Sequence, residues 1–324
     1  MSSAARSLLR PRAIRFRSLT DLNAATFRWR DWIQEEVGLI VGVPRSGLLA
    51  ASLLAVHMGR PLCDMATVVG GADPWGGLRL PGGSAQSGRL LVVDDSVNSG
   101  TEMLRVRHAL TAAGYDPVNL LFAAVYASPN GTRHVDFWAE VVPPPRAFAW
   151  NILGHRELLA QACMDIDGVL CREPLPREND DGRRYLRFLA EAQPVFLPSF
   201  PVRTLVTSRL EKYRARTEDW LASHGVEYGE LVMLDLPTAR ERTRRRAHAS
   251  HKAAAYLESG NVLFYESSAT EGREIHSISR LPVYVTDTHE FLGVGGTTSF
   301  KEPLPRRVLD SVRLWRATRG RSHL

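Results

Sequence analysis

Lysine is almost missing from this chain of 324 residues: of its 41 basic residues only Lys212, Lys252 and Lys301 are lysine, and the rest are arginine. Cysteine is as scarce, with Cys63, Cys163 and Cys171 alone. Three scattered thiols make neither a disulfide framework nor a structural zinc site, and they point to a reducing compartment. No apolar run reaches the roughly eighteen residues that a membrane-spanning helix needs. The start, MSSAARSLLRPRAIRFRSL, lacks the unbroken apolar core of a secretory signal. It is arginine-rich and acid-free in the manner of an organellar transit peptide, but a simple lead is commoner, and it is left outside the fold. A cytoplasmic location is the expectation. The net charge of +6 is carried by arginine, whose planar fork suits phosphate and carboxylate, so anionic small molecules fit it as readily as an acidic membrane. No nucleic-acid partner is expected.

The length exceeds what one core usually sustains, so two domains are the default, read here as 1–150 and 151–324. Both halves alternate apolar runs with amphipathic segments, the pattern of α/β domains with mostly parallel sheets. In the first half, strands are expected at 38–43, 62–69, 89–94, 119–126 and 135–142, with helices at 48–58 and 101–113. Residues 70–88 (GGADPWGGLRLPGGSAQSG) form a glycine-rich loop. The three consecutive prolines Pro143, Pro144 and Pro145 make the best linker. In the second half, strands are expected at 162–166, 203–207 and 261–265, and helices at 213–223 and 240–257.

The segment LLVVDDSVNSGT, residues 90–101, joins a buried strand, two carboxylates, a loop of small hydroxylated residues and a helix start. Backbone N–H groups there, with the hydroxyls of Ser96, Ser99 and Thr101 and the freedom of Gly100, suit a phosphate. Asp94 and Asp95 would repel that phosphate but can accept hydrogen bonds from sugar hydroxyls beside it, so a sugar phosphate is the better ligand. Asp94 and Asp95 as helix caps would explain neither the pair nor a second loop, VGVPRSGL at 41–48. Together these motifs resemble the phosphoribosyl pyrophosphate (PRPP) sites of type I phosphoribosyltransferases over residues 25–145. The resemblance implies PRPP contacts from Pro44, Arg45, Ser46 and Gly47 on the pyrophosphate side, and from Asp94, Asp95, Ser96, Val97, Asn98, Ser99, Gly100 and Thr101 on the ribose-phosphate side. It also implies magnesium, a mobile cover at 70–88 and, as in many relatives, a homodimer. The cover carries Arg79 where orotate-type members carry lysine, which argues against an orotate acceptor.

In CMDIDGVL, residues 163–170, Asp165 and Asp167 stand two apart at a strand end, where the strand period puts them on one side of the chain. One can attack phosphorus while the other handles the leaving group's proton. LVTSR at 205–209 ends a strand in a hydroxyl, Lys252 opens a helix and FYESS at 264–268 ends another strand in an acid. In this order the four motifs resemble the haloacid dehalogenase superfamily. That resemblance implies Asp165 as nucleophile, Asp167 as general acid and base, Thr207 and Lys252 on the phosphoryl oxygens, and magnesium held by Asp165, Asp167 through its carbonyl, and Glu266, with Glu271 as a second acid. About forty residues between Asp165 and Thr207 leave no room for a large cap domain. The expected fold is therefore a type I phosphoribosyltransferase-like parallel sheet joined to a Rossmann-like haloacid dehalogenase fold without a large cap.

The two chemistries share one group. Transfer from PRPP leaves a 5-phosphate on the product, and an open phosphatase site removes it, giving net ribofuranosyl transfer; a glycan acceptor is favoured. A nucleobase acceptor with a nucleotidase, or a PRPP-sensing module regulating a phosphatase, are the alternatives. Trp29, Trp32 and Trp75 offer stacking surfaces or core packing. Val308, Leu309, Val312 and Trp315, at helical spacing amid arginines, suit either an anionic inner-membrane surface or docking on the phosphatase domain.

Overall fold

Continuous apolar runs become the central strands because a parallel strand covered on both faces has no polar side to show. VGLIVG forms β1 (Val37–Gly42) and LLFAAVYA forms β4 (Leu120–Ala127), every residue of both being buried. The computed structural model describes residues 14–33, 37–71, 88–245 and 247–293. Arg79, Trp75, the tail from 305 and residues 72–87 of the cover expected at 70–88 lie outside the described residues, as does the side chain of Trp32. The chain divides into two compact units: residues 17–146, and residues 147–293 with 14–16.

In the N-terminal unit five parallel strands lie in the order β2-β1-β3-β4-β5, with β2 Leu62–Asp64, β3 Arg89–Val97 and β5 Phe137–Val141. Helices α1 (Leu19–Ile33), α2 (Gly47–Met58), α3 (Met65–Val69) and α4 (Thr101–Ala112) accompany them. The core gathers Val41, Val92, Val106, Leu110 and Phe122, and Trp29 is a buried core residue rather than a stacking surface. One expected strand is corrected. Residues 62–69 do not continue as a strand, because Asp64 accepts the Thr67 N–H at 2.7 Å and caps α3.

The C-terminal unit is again α/β, its strands in the order β8-β7-β6-β9-β10-β11. They are β6 Ala162–Met164, β7 Val202–Leu210, β8 Tyr228–Leu234, β9 Leu263–Glu266, β10 Val283–Val285 and β11 Glu290–Leu292, the last antiparallel and the others parallel. Helices α5 (Arg183–Glu191), α6 (Arg214–Ser223), α7 (Ala239–Arg245), α8 (Ala247–Ser259) and α9 (Ala269–Ser279) pack around this sheet, so the single helix expected at 240–257 is two. Trp220 anchors the larger core and its indole N–H reaches the Ala192 carbonyl at 2.8 Å. Phe16 stacks on Phe291 with ring centroids 4.5 Å apart. Among the described residues no helix is long and apolar enough to cross a membrane.

Each strand order reverses direction once: beside β1 and β3 in the first sheet, and beside β6 and β9 in the second. Loops leaving the carboxyl ends of such strands go to opposite faces and open a crevice, the usual ligand position in open α/β sheets.

Candidate active sites

In the N-terminal unit the crevice is built by divergence. β3 pairs with β1 only as far as Val93 opposite Gly42, but runs on beside β4 to Val97 opposite Ala127. The strand thus continues through Asp94, Asp95 and Ser96 rather than ending before them, and the open flank beyond Val93 faces the loop leaving β1. That loop carries exposed Pro44 and Arg45, joined by a cis peptide, and half-buried Ser46. Ser46 donates its hydroxyl to Asp95 Oδ1 at 2.8 Å, so the two sequence motifs touch.

Gly47, the first residue of α2, allows this approach. A β-carbon there would sit 2.8 Å from Asp94 Oδ1 and 2.9 Å from the Val93 carbonyl. Gly47→Ala must push α2 from β3 at the point where both motifs meet. Its expected effect is a roughly ten-fold weaker PRPP affinity together with a melting temperature lowered by several degrees, since the added methyl meets the backbone of β3 at a buried position. Calorimetric titration beside a melting curve checks both halves of this expectation.

Asp94 and Asp95 differ. Asp95 is buried, whereas Asp94 is half-buried and accepts the Asp95 N–H at 2.8 Å. Desolvation, with the adjacent Asp95 charge adding to it, pushes the Asp94 carboxyl up to about 8. Beyond β3, Asn98, Ser99 and Thr101 are exposed and the Ser99 and Thr101 hydroxyls meet at 2.9 Å. Gly100 caps α4 with φ at +78°, and a β-carbon there would strike the His134 ring at 2.1 Å. His134 had no signal in the sequence. Of the expected contacts, Val97 alone is a core residue, leaving its backbone as the part near the loop.

In the C-terminal unit Asp165 follows β6, with its N–H on the Tyr265 carbonyl at 3.0 Å. Gly168, at φ +82°, turns the chain; a β-carbon there would meet Ser267 Oγ at 2.1 Å. Asp165, Asp167, Thr207, Lys252 and Glu271 line one cleft of about 440 Å³, open mouth included. Lys252 does not open its helix but lies inside α8. Its Nζ donates to Asp165 Oδ2 at 2.6 Å, Glu266 Oε2 at 2.7 Å and Glu271 Oε2 at 2.7 Å. Burial alone would lower this ammonium, but the three carboxylates outweigh it and hold it well above the usual lysine range. Asp165 moves up, through burial first and then through Glu266 and Asp167, against the pull of Lys252.

Asp167 has a separate cation. Arg209, fully buried, donates Nη2 to Asp167 Oδ1 at 2.6 Å and Nε to both oxygens at 3.2 Å. Arg209 belongs to the LVTSR motif, yet nothing in the sequence pairs it with an acid 42 residues earlier. Reasoning from sequence also missed His248, whose Nδ1 lies 3.7 Å from Glu271 Oε1, and Glu173. Glu173 keeps an exposed edge at the cleft mouth, yet the protein around its carboxyl and the charge of Asp167 push it up to about 7.

Magnesium fits the chemistry of these donors, which are hard oxygens. Of the expected metal set, the Asp165 and Glu266 carboxylates converge on Lys252 Nζ; Asp167, expected to contribute its carbonyl, has its carboxylate on Arg209. Among the described residues no group of three or more acids, histidines or cysteines is arranged to hold a metal, in this unit or around Asp94.

No protein-family profile matches the chain, and no curated protein does. Among solved structures, it is similar to the purine phosphoribosyltransferase of Pyrococcus horikoshii Ot3, at 19% identity over 42% of this chain and 92% of that one, with a TM-score of 0.33. The xanthine-guanine-hypoxanthine phosphoribosyltransferase of Helicobacter pylori matches at 15% identity over 43% and 93% of the two chains, with a TM-score of 0.33. The orotate phosphoribosyltransferase of Aeropyrum pernix matches at 16% over 38% and 71%, with a TM-score of 0.27. None of these three is a phosphatase.

Proposed function

We propose that the chain is a bifunctional enzyme: its N-terminal unit transfers 5-phosphoribose from PRPP to an acceptor, and its C-terminal unit removes the 5-phosphate from the product. The observation that carries the first half is the bond between Ser46 and Asp95 across the crevice. It joins a loop suited to pyrophosphate to a carboxylate pair suited to ribose hydroxyls, at the position where open α/β sheets bind ligands. In this reading Arg45 and the backbone of Ser46 and Gly47 receive the pyrophosphate, Asp94 and Asp95 take the ribose hydroxyls, and residues 98–101 cradle the 5-phosphate. The acceptor displaces pyrophosphate at the anomeric carbon, and positive charge developing on the sugar ring is favoured by the two acids beneath it.

The second half rests on the cleft around Asp165. An Asp165 oxygen attacks phosphorus, the ester oxygen leaves with a proton passed by Asp167, and water then releases phosphate from the aspartyl phosphate. Thr207 and Lys252 hold the phosphoryl oxygens, and Arg209 fixes the direction of Asp167. α5 is the one helix of eight residues or more among the described residues between β6 and β7, an arrangement suited to a phosphate at the end of a bulky molecule. A glycan is the acceptor class we favour, with net ribofuranosyl transfer as the result.

Full-length protein, PRPP and magnesium incubated with a panel of glycans and nucleobases test this, with pyrophosphate release and product mass as readouts. A ribosylated glycan supports the proposal as stated. A nucleoside product moves it to a nucleobase acceptor, and PRPP bound but never consumed makes the N-terminal unit a sensor.

A further inference from the structure

Beside the cleft, the C-terminal unit has a second and larger hollow of about 1100 Å³, open side included, lined by Arg172, Arg177, Arg183, Arg184, Arg187 and Phe188 among others. Two of its five arginines are neutralised. Arg172 forms a two-pronged pair with Glu178 at 2.7 and 2.9 Å, and Arg184 lies 3.4 Å from Asp180. Arg177, Arg183 and Arg187 are exposed and make no ion pair within 4 Å among the described residues; Arg177 acts on the Glu178 carboxyl from farther off, and Glu191, one turn on from Arg187, is the other acid of the lining.

This charge sits where the fold would disfavour it. Arg183 and Arg184 open α5, whose first turn contains no acid, so cations face the positive end of the helix. Arg183 and Arg187 are also a like-charged pair one turn apart. Asp180 offsets part of this by accepting the Gly182 and Tyr185 N–H groups at 3.0 and 3.1 Å. An arrangement that works against its own helix is relieved when an anion enters the hollow.

The hollow and the cleft share a wall. Glu173 and Pro174 line the cleft, while Arg172, Leu175 and Arg177, on either side of them in the chain, line the hollow. Beneath, the Phe188 ring lies within 4.9 Å of the Arg172 guanidinium and 5.7 Å of Arg209, which grips Asp167. A molecule with its phosphomonoester at Asp165 therefore meets the arginines one loop's thickness away.

We propose that this hollow is a second anion subsite, taking a phosphoryl or diphosphoryl group carried elsewhere on the phosphomonoester that the Asp165 cleft cleaves. Its position as a substrate subsite rests on the phosphatase reading; its affinity for phosphate does not. Guanidinium forks recognise phosphate with paired bonds, and three unpaired forks match a group of two or more negative charges.

Two measurements on the full chain separate these parts. Phenylglyoxal modification, mapped residue by residue by mass spectrometry on the Asp165→Asn variant, is run with ribose 5-phosphate or with ribose 1,5-bisphosphate. We expect the bisphosphate to protect Arg183 and Arg187 at concentrations about ten-fold below the monophosphate. In steady-state kinetics, the double variant Arg183→Ala with Arg187→Ala should lower the preference for bisphosphate over monophosphate by roughly 10- to 100-fold in kcat/KM. Hydrolysis of ribose 5-phosphate itself should not change, because neither arginine lines the cleft. Equal protection by both sugars overturns the subsite. So does protection only by an oligonucleotide or by phosphatidylglycerol vesicles, which would make the hollow a macromolecular surface. Protection without hydrolysis of either sugar keeps the anion site and sinks the phosphatase reading.

Discussion

Replacing Asp165 by asparagine is expected to stop phosphate release, by at least ~10³-fold, while the chain stays folded. An amide has the shape of the carboxyl but cannot form the aspartyl phosphate. Its cost to the fold is small for an electrostatic reason: burial already pushes the Asp165 carboxyl upward, so a neutral amide there escapes a desolvation cost that offsets the lost attraction of Lys252. Lys252 keeps Glu266 and Glu271, both at 2.7 Å. With PRPP and a competent acceptor, the variant should accumulate the product that still bears its phosphate, where the wild type yields the dephosphorylated form. Mass spectrometry of the two product mixtures distinguishes these outcomes. Wild-type phosphate release from the variant would end the nucleophile assignment, and an unfolded variant would show that the Lys252 cluster is structural first.

Asp94→Asn should do two opposite things: weaken PRPP binding by about 10- to 100-fold and stabilise the protein at neutral pH. A carboxyl raised to about 8 in the folded state keeps a proton that the unfolded chain gives up near pH 4. Between those values the folded form binds more protons, so stability falls as pH rises through this window. Asparagine never ionises, and its stability curve should lose that downward slope, with a melting temperature a few degrees above wild type near pH 8. PRPP binding by the wild type should strengthen as pH passes upward through 8, because the carboxylate accepts ribose hydroxyls better than the acid does. Melting curves across pH and calorimetric titration test both. A variant less stable than wild type at pH 8 would mean that the pair is stabilised by something other than the charges described.

How far the sequence could be read depended on how local each structure's cause was. β1 and β4 were legible as apolar runs because a strand buried on both faces has only one composition. β8, half-exposed in YGELVML, was not, since its mixed face has no clean period. α5 places Tyr185, Phe188 and Leu189 in the core at helical spacing, but arginines between them hid the stripe. Residues 65–69 misled because Val68 and Val69 favour strands while one side-chain bond from Asp64 sets a helix. At the candidate sites the acids and Lys252 were visible, but which cation holds which acid was not. The pairs Asp167 with Arg209 and Asp165 with Lys252 join positions 42 and 87 apart, and only the folded sheet brings them together.

Lys252 has a further consequence for handling the protein. An amine that is 3% exposed and shared among three carboxylates is fully protonated, and a protonated amine has no lone pair with which to attack an ester or an aldehyde. In a chain with so few lysines, amine chemistry is therefore steered to the surface, where Lys212 pairs with Asp181 in partial contact with solvent. Dyes, cross-linkers and sensor surfaces that couple through amines can be attached without touching the cleft, which gives the protein handles that spare its candidate phosphatase site.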